Sequence, residues 1–165
     1  MKIKKIYILG TSGSGKSYLA RLVSEKLKIP FYDLDDVFWV KKYTEKLDED
    51  KRLKKLSKIV KNKSWVIEGV YTSWVREAIE AADLIIWLKT PFYKRVSRII
   101  KRKLNNSSSD TWKGTFGLVK FSLMYKIRRK KSSYSSHNKL LKDFGKKHIV
   151  IKNKKDFYKF LEGLK

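Results

Sequence analysis

The feature that most constrains this chain is Gly10-Thr-Ser-Gly-Ser-Gly-Lys-Ser17, which matches the pattern G-x-x-x-x-G-K-S/T at every position. A short apolar run at Lys4–Leu9 precedes it and predicts a buried strand, and helical spacing of apolar residues follows from Lys16 to Lys28. The three glycines let backbone N–H groups turn inward and carry no Cβ that would obstruct an anion. We therefore expect a strand–loop–helix unit that binds phosphate at the helix N-terminus.

This phosphate loop predicts that the chain binds a nucleoside triphosphate. Lys16 is placed to bridge the β- and γ-phosphates, and the hydroxyl of Ser17 is placed to ligate Mg²⁺. ATP and Mg²⁺ are therefore the expected cofactors, although the motif does not separate ATP from GTP. The residues expected to contact the nucleotide here are Gly10, Thr11, Ser12, Gly13, Ser14, Gly15, Lys16, Ser17 and Tyr18.

The rest of the chain alternates apolar runs with amphipathic segments. This alternation predicts an α/β three-layer sandwich with a five-stranded parallel sheet, in a single domain spanning 1–165. The further predicted strands are 31–34, 65–67, 84–88 and 149–151, and the further predicted helices are 48–61, 74–82, 92–104 and 156–164. The segment at about 105–136 starts with a polar turn, 105–110, and continues with aromatic and basic residues. Because it shows no strand pattern, we predict a helical lid insertion that covers one end of the sheet.

The charge of the chain is strongly positive, with 41 Lys and Arg against 16 Asp and Glu and a net charge of +25. Such an excess attracts nucleotides, nucleic acid or an anionic membrane surface. The basic residues are mostly lysine and are spread along the chain, so a solvated lysine-rich surface is the favoured interpretation and functional binding of a polyanion is the alternative. The chain has no cysteine, which excludes a disulfide framework and a thiol nucleophile. It also has no apolar run of about 18–20 residues, so we expect no membrane span and a cytoplasmic location.

Carboxylates are expected at the edge of the sheet where the phosphate loop lies. Asp33, Asp35 and Asp36 follow the second strand, and the carboxyl ends of parallel strands meet at one edge. Asp33 and Asp35 would face the same side while the strand lasts, and would contact substrate. Asp35 is suited to hold Mg²⁺ or to accept the proton of an attacking hydroxyl. In the alternative interpretation, Asp35 or Asp36 only caps the next helix.

Glu68, which follows the third predicted strand, is a third candidate for the magnesium site, beside Ser17 and Asp35. A carboxylate next to the phosphate loop suits the acid that supports magnesium in enzymes of phosphoryl transfer. The alternative is that Glu68 pairs with a neighbouring lysine.

Several of these segments together resemble a known family. Gly10–Ser17, Leu34-Asp-Asp36 with Trp39, Trp65–Tyr71 and Ala82–Leu88 resemble the adenylate-kinase-like P-loop kinases described as DNA topology modulation proteins. The resemblance covers about 1–102 and 147–165 and extends to the wider nucleoside monophosphate kinase and shikimate kinase group. It implies a five-stranded parallel sheet, a mobile lid, and transfer of the γ-phosphoryl group of ATP to a small acceptor.

The resemblance also assigns roles to the basic residues after the fourth strand. Pro91 is followed by Arg98 and Arg102 at the family's spacing, which implies that Arg98 stacks on the adenine and that Arg102 reaches the transferring phosphate. Arg95, one turn earlier, would join them at the substrate, and Lys152 would border the adenine. For each arginine the alternative is a solvated surface.

Two further sets of residues bear on the acceptor. By resemblance, Arg76 occupies roughly the place where these kinases hold an acceptor phosphate, and Arg128 and Arg129 would be lid arginines. The pair Asp33-x-Asp35 is closer to shikimate kinase than to adenylate kinase. The acceptor is therefore expected to be a small anionic metabolite, with a nucleotide-like molecule favoured, and these residues specify neither it nor the oligomeric state.

The main hypothesis is thus a kinase in which Lys16, Arg102 and Mg²⁺ stabilise charge on the γ-phosphoryl group, while Asp35 serves the acceptor hydroxyl. If the acceptor is a phosphate oxygen, no base is required and Asp35 serves magnesium alone. The rival hypothesis is a nucleic-acid-associated NTPase or polynucleotide-end kinase, supported by the aromatic and basic segment Trp112–Lys131. A third is a P-loop switch that hydrolyses its nucleotide without an acceptor.

Overall fold

A computed structural model describes residues 3–41, 44–105, 111–129, 131–145 and 148–164. Along the chain the elements are β1 (Lys5–Gly10), α1 (Lys16–Leu27), β2 (Phe31–Asp33), α2 (Leu34–Phe38), β3 (Trp39–Lys41), β4 (Glu45–Lys46), α3 (Glu49–Val60), β5 (Trp65–Gly69), α4 (Arg76–Ala81), β6 (Leu84–Leu88), α5 (Phe92–Leu104), α6 (Trp112–Leu123), α7 (Tyr134–Phe144), β7 (His148–Ile151) and α8 (Lys154–Glu162). Of the predicted polar turn at 105–110, residues 106–110 lie outside the described part of the chain.

The central sheet contains five parallel strands in the order β2-β5-β1-β6-β7, which confirms the predicted sheet. β1 lies in the middle and pairs with β5 on one side, where Ile8 lies opposite Glu68, and with β6 on the other, where Gly10 lies opposite Leu88. Residues of β5 and β6 are buried along their whole length, as expected for strands covered on both faces. The phosphate loop therefore leaves the sheet at its centre, with β5 and β6 ending beside it.

Helices cover both faces of the sheet and complete the three predicted layers. Leucine and valine side chains of α1 pack on one face together with α8. Side chains of α2, α3, α4 and α7 pack on the other face, around Tyr7, Trp65 and Trp87 of the strands. Both faces of the sheet are apolar because the helices that connect the parallel strands cover both of them.

The structure differs from the sequence-based expectation around the second strand. β2 ends at Asp33, because Leu34 already begins the short helix α2. Two short antiparallel strands, β3 and β4, then form a hairpin in which Trp39 lies opposite Lys46. Neither α2 nor this hairpin was predicted, because elements of two to five residues are too short to show a hydrophobic period.

The segment after α5 is helical, as predicted for a lid. α6 packs against α5, and its polar residues Thr115 and Ser122 are buried in that contact region. α7 instead belongs to the helical layer that covers the sheet, because Leu140 and Leu141 are buried in the core. Among the described residues, no helix combines the length and apolar character that crossing a membrane requires.

Candidate active site

The loop between β1 and α1 has the backbone geometry of an anion cradle. Gly13 has φ of 73° and Gly15, at the N-cap of α1, has φ of 97°, and both values are in the region that glycine adopts without strain. No side chain caps this helix end, and its first turn contains no acidic residue. The N–H groups and the positive end of the helix dipole are therefore left to bind an anion.

The loop is held in place by α5 and by the end of β6. The Thr90 hydroxyl donates to the carbonyl oxygen of Ser14 at 2.9 Å, and Nη1 of Arg98 donates to the same oxygen at 2.8 Å. Nη1 of Arg98 would also lie 3.0 Å from a Cβ placed on Gly15. Arg98 thus lies directly against the loop, where a nucleotide contact was predicted, while its stacking on adenine stays a prediction.

Lys16, Ser17 and Glu68 form one cluster at this loop. The Ser17 hydroxyl donates to Oε1 of Glu68 at 2.5 Å, and Nζ of Lys16 lies 3.5 Å from Oε2. Glu68 is only 2% exposed. The structure thus shows the alternative lysine contact of Glu68 and adds a contact with Ser17, while the magnesium role of both residues stays a prediction.

The donor set fits a magnesium nucleotide. A serine hydroxyl and a carboxylate are the oxygen ligands that Mg²⁺ prefers, and Lys16 supplies a positive charge for phosphate. In the described ranges, no group of three or more His, Cys, Asp or Glu side chains is arranged to hold a metal alone. A bound ion would therefore rely on nucleotide oxygens and water for its remaining ligands.

The acidic segment after β2 is arranged differently from the prediction. Oδ1 of Asp33 accepts a hydrogen bond from the backbone N–H of Asp35 at 2.8 Å, so Asp33 is the N-cap of α2. The expectation that Asp33 and Asp35 share one side of a strand is wrong, because the strand ends before Asp35. The alternative that Asp35 or Asp36 caps the helix is wrong too. In the sheet register, Asp33 lies opposite Glu68.

Asp35 instead pairs with a tyrosine from the loop after β5. The hydroxyl of Tyr71 donates to Oδ1 of Asp35 at 2.7 Å. Burial and the nearby Asp35 carboxylate raise the pKa of Tyr71 above its ordinary value, so the proton stays on the tyrosine. One oxygen of the Asp35 carboxylate is thereby oriented, which suits a group that must receive a hydrogen bond from an acceptor.

A buried arginine, Arg52, lies close to this pair and was missed by the sequence analysis. Its guanidinium lies 4.8 Å from the ring centre of Phe38 and 5.1 Å from that of Trp74, and the ring of Tyr71 stacks on Phe38 at 4.7 Å. Nε of Arg52 and Nε1 of Trp74 are buried and have no hydrogen-bond partner among the described residues. Two unsatisfied donors in one cluster are costly unless a ligand oxygen or water accepts from them.

Among the other predicted arginines, Arg95 has a different role. Its side chain is 3% exposed, Nε donates to the Ser122 hydroxyl at 3.0 Å, and Nη2 donates to the Ser122 carbonyl oxygen at 2.6 Å. Nη1 donates to the carbonyl oxygen of Thr90 at 3.4 Å. Because each nitrogen is used inside the protein, the structure contradicts the prediction that Arg95 contacts substrate. Arg102 is exposed one turn after Arg98, and its catalytic role stays a prediction.

Two of the predicted nucleotide contacts lie at the other side of the loop. Tyr18 is 64% exposed, and its ring stacks on Phe157 of α8 with centroids 5.9 Å apart. Lys152, at the exposed turn before α8, precedes Phe157 by five positions. Tyr18 therefore contacts α8 five residues beyond Lys152, and the contact of both residues with the nucleotide stays a prediction.

Arg76 and Arg129 meet in a groove of about 520 Å³ between α4 and α7. Thr72, Ser73, Lys131 and Lys139 also line it, and Asp143 is its acidic member. The predicted substrate arginine and one predicted lid arginine therefore face a common basic groove, although Nε of Arg76 donates to Glu80 at 2.8 Å.

A buried chain of hydrogen bonds connects the segment after α6 with the end of β5. Nε1 of Trp87 donates to the Tyr125 hydroxyl at 3.3 Å, and Tyr125 contacts Nδ1 of His137 at 2.6 Å. Nε2 of His137 contacts the carbonyl oxygen of Val70 at 2.9 Å and must donate to it, so Tyr125 donates to Nδ1. Burial lowers the pKa of His137 to about 4, and the imidazole is neutral.

A parallel sheet of this order, with a phosphate loop leaving its central strand, defines a P-loop NTPase fold of the kinase type. The chain belongs to a family described as AAA domain, whose model matches residues 6–113. It is similar to YqaC of Bacillus subtilis (strain 168), with 30% identity over 112 residues that cover 67% of this chain and 63% of that protein. It is also similar to a cytidylate kinase of Archaeoglobus fulgidus, with 30% identity over 60% of this chain and 62% of that enzyme.

A similar solved structure is a shikimate kinase from Acinetobacter baumannii in complex with shikimate. It matches with a TM-score of 0.61 and 16% identity over 97% of this chain and 89% of that one. The fold is therefore shared along almost the whole chain. The chain spans less than two thirds of the length of either of these two relatives.

Proposed function

We propose that this protein is an ATP-dependent phosphotransferase that moves the γ-phosphoryl group to a small anionic acceptor. The observation that carries the proposal is the Lys16–Ser17–Glu68 cluster at the phosphate loop, on the edge of the sheet where β2 and β5 also end. Asp35 and Tyr71 follow directly after those two strands. A donor site and a carboxylate at a common edge are what phosphoryl transfer requires.

The nucleotide side of the reaction needs positioning and charge more than covalent chemistry. The loop N–H groups and Lys16 would hold the phosphates, with Ser17 and Glu68 holding Mg²⁺, which supplies positive charge to the phosphoryl oxygens when bound. Arg98 and Arg102 follow on one face of α5, and Arg102 would stabilise the charge of the transferring group. Tyr18 and Lys152 would border the base.

The acceptor side is assigned to the cluster of Asp35, Tyr71, Arg52 and Trp74. Asp35, oriented by Tyr71, would accept the hydrogen bond of an acceptor hydroxyl. It would take the proton as the new bond to the γ-phosphorus forms and the bond from that phosphorus to the bridging oxygen of the leaving ADP breaks. The unsatisfied N–H groups of Arg52 and Trp74 would donate to an anionic oxygen of the same molecule. A guanidinium beside aromatic rings binds a carboxylate or phosphate strongly because little water competes.

The basic groove between α4 and α7 supports an anionic acceptor as well. Arg76 is the first residue of α4 and lies five residues after Tyr71 along the chain. A phosphate of the acceptor that reached this groove would meet Arg76, Arg129 and the hydroxyl of Thr72. The relatives add support, since a cytidylate kinase and a shikimate kinase both phosphorylate small anionic molecules. We propose nucleotide-like metabolites as the first acceptors to test.

The test is transfer of a radiolabelled γ-phosphoryl group from ATP across nucleoside monophosphates, sugar acids and oligonucleotide 5′ ends. We expect one class to form a labelled product, and Asp35→Asn to reduce its formation by about 100-fold or more where the attacking group is a hydroxyl. Arg52→Lys should raise KM for that acceptor about tenfold or more with little change for ATP. Slow ATP hydrolysis with no labelled product in any class would contradict the proposal and favour a P-loop switch.

A matched control separates the acceptor site from the surface charge. Lys55 is exposed on α3, the helix that carries Arg52, so Lys55→Gln removes one charge without touching the aromatic cluster. We expect this variant to keep the wild-type KM. An equal loss in Lys55→Gln and Arg52→Lys would contradict the role assigned to Arg52.

A further inference from the structure

The net positive charge is concentrated in one part of the chain, because acidic residues are nearly absent from it. Lys and Arg occur throughout, but the segment 84–142 contains sixteen of them and a single acidic residue, Asp110. This segment contains α5, α6 and most of α7. The packed pair α5 and α6 includes no acidic residue, whereas α7 contains Asp143 near its end. A surface of this kind attracts polyanions and repels polycations.

Exposed aromatic side chains lie within this basic region. Trp112 is 52% exposed and Phe116, one turn later on α6, is 68% exposed, with ring centroids 6.4 Å apart. Nζ of Lys103, from the end of α5, lies 5.9 Å from the ring centre of Trp112. A Cβ added at Gly117 would have no atom within 4 Å, so the surface beside the two rings is open.

The exposed side of α6 combines apolar side chains with lysines. Trp112, Phe116 and Leu123, which is 47% exposed, follow helical spacing along one stripe, and Lys113 and Lys120 flank it. Rings with lysines between them match a polynucleotide, whose bases stack while its phosphates meet the cations. The exposed rings favour unpaired strands, because only unstacked bases can lie on an aromatic side chain.

We propose that α6 and the end of α5 form a binding surface for single-stranded nucleic acid. Trp112 and Phe116 stack with bases, and Lys103, Lys113 and Lys120 contact phosphates. Recognition on this surface depends on stacking and charge, so it tolerates different base sequences. The inference does not rest on the proposed phosphotransferase activity, because binding requires neither ATP nor an acceptor.

The experiment measures binding of a fluorescein-labelled oligothymidylate of about 15 nucleotides by anisotropy, at about 50 and about 200 mM NaCl. The double variant Trp112→Ala/Phe116→Ala should weaken binding by about tenfold or more while the thermal unfolding midpoint stays near wild type. Tyr158→Ala is the matched control, since Tyr158 is 51% exposed on α8 at a distance along the chain from this surface. The control should bind as wild type does.

A pair of charge variants distinguishes a site from net charge. Lys103→Gln/Lys113→Gln/Lys120→Gln and Lys54→Gln/Lys55→Gln/Lys58→Gln each remove three charges, and the second set lies on α3. The first should lower the slope of log affinity against log salt by about 2, and the second should leave it unchanged. Equal losses in the two triple variants would show non-specific attraction and overturn the proposal.

Three further outcomes would also overturn it. The first is unchanged oligothymidylate affinity in the Trp112/Phe116 double variant. In the second, that variant loses binding to vesicles of phosphatidylcholine and phosphatidylglycerol but still binds oligothymidylate. This result would assign the surface to a membrane. The third is weaker ATP binding with oligothymidylate binding retained, which would assign the rings to the nucleotide site.

Discussion

The phosphate loop rests directly on the backbone of α5, because a Cβ on Gly13 would lie 2.5 Å from the carbonyl oxygen of Arg95. Thr90 and Arg98 donate hydrogen bonds to the same loop from either side of this contact. The loop and the helix that leads to α6 therefore form one packed unit. A shift in the position of α5 would move the phosphate loop as well.

Gly13→Ala should destabilise the protein by about 2 kcal/mol or more, since it combines a positive φ with a clash against backbone that cannot rotate away. Urea unfolding gives the free energy. Gly117→Ala is the control, because a Cβ there meets nothing within 4 Å and α6 gains about 0.5–1 kcal/mol of helix propensity. Equal destabilisation by both changes would show that Gly13 is not tightly packed.

Lys16→Ala should abolish ATP turnover while the chain still folds. The ammonium contacts Glu68 and the Thr11 carbonyl at 3.5 Å each, so the change removes the loop's positive charge and little of its packing. We expect turnover to fall by about 100-fold or more. Lys26→Ala, an exposed lysine on the same helix, should retain turnover, and an active Lys16→Ala protein would contradict the mechanism.

Arg95→Met should weaken the attachment of α6 and lower the free energy of unfolding by about 2–3 kcal/mol, because it removes charged hydrogen bonds to Ser122 and leaves buried acceptors unpaired. Chemical unfolding measures the loss. The exposed Arg21 on α1 provides the comparison, and Arg21→Met should change stability by less than about 0.5 kcal/mol. Similar values for the two variants would mean that Arg95 does not anchor α6.

His137 should make stability depend on pH in the range in which it is protonated only in the unfolded chain. Its pKa is about 4 in the folded protein against an ordinary 6.5, so its contribution is complete above pH 6.5 and is lost as the pH falls towards 4. Between pH 7 and pH 5 the histidine should account for about 2 kcal/mol of lost stability. His137→Gln should lose correspondingly less over that interval, and parallel curves for the two proteins would contradict the assignment.

The sequence was sufficient for the features that depend on long periodic patterns or on a complete motif. The apolar runs of β1 and β6 predicted the sheet, since each run is buried along its length, and the glycines predicted the geometry of the loop. Arg52 was missed although it shares the i, i+4, i+8 spacing of Leu56 and Val60 on the buried face of α3. The signal that could have indicated Arg52 is an arginine at a position where the helical spacing predicts an apolar residue.

Other features depend on partners that are distant along the chain. Asp33 caps α2 because β2 ends after three residues, and no local pattern indicated that end. Arg95 shares the basic, amphipathic appearance of its neighbours on α5, and only the position of Ser122 shows that it is buried. The partners of His137 lie 12 and 67 positions away, so no sequence spacing would have suggested them.

The contact of Gly13 with α5 also has a consequence for how the protein acquires its site during synthesis. The loop occupies residues 10–17, but the groups that fix it, Thr90, Arg95 and Arg98, emerge from the ribosome about eighty residues later. A nascent chain that ends before α5 holds the complete motif without its support. Nucleotide affinity would then rise only after the second half of the chain has been synthesised and has packed against the first.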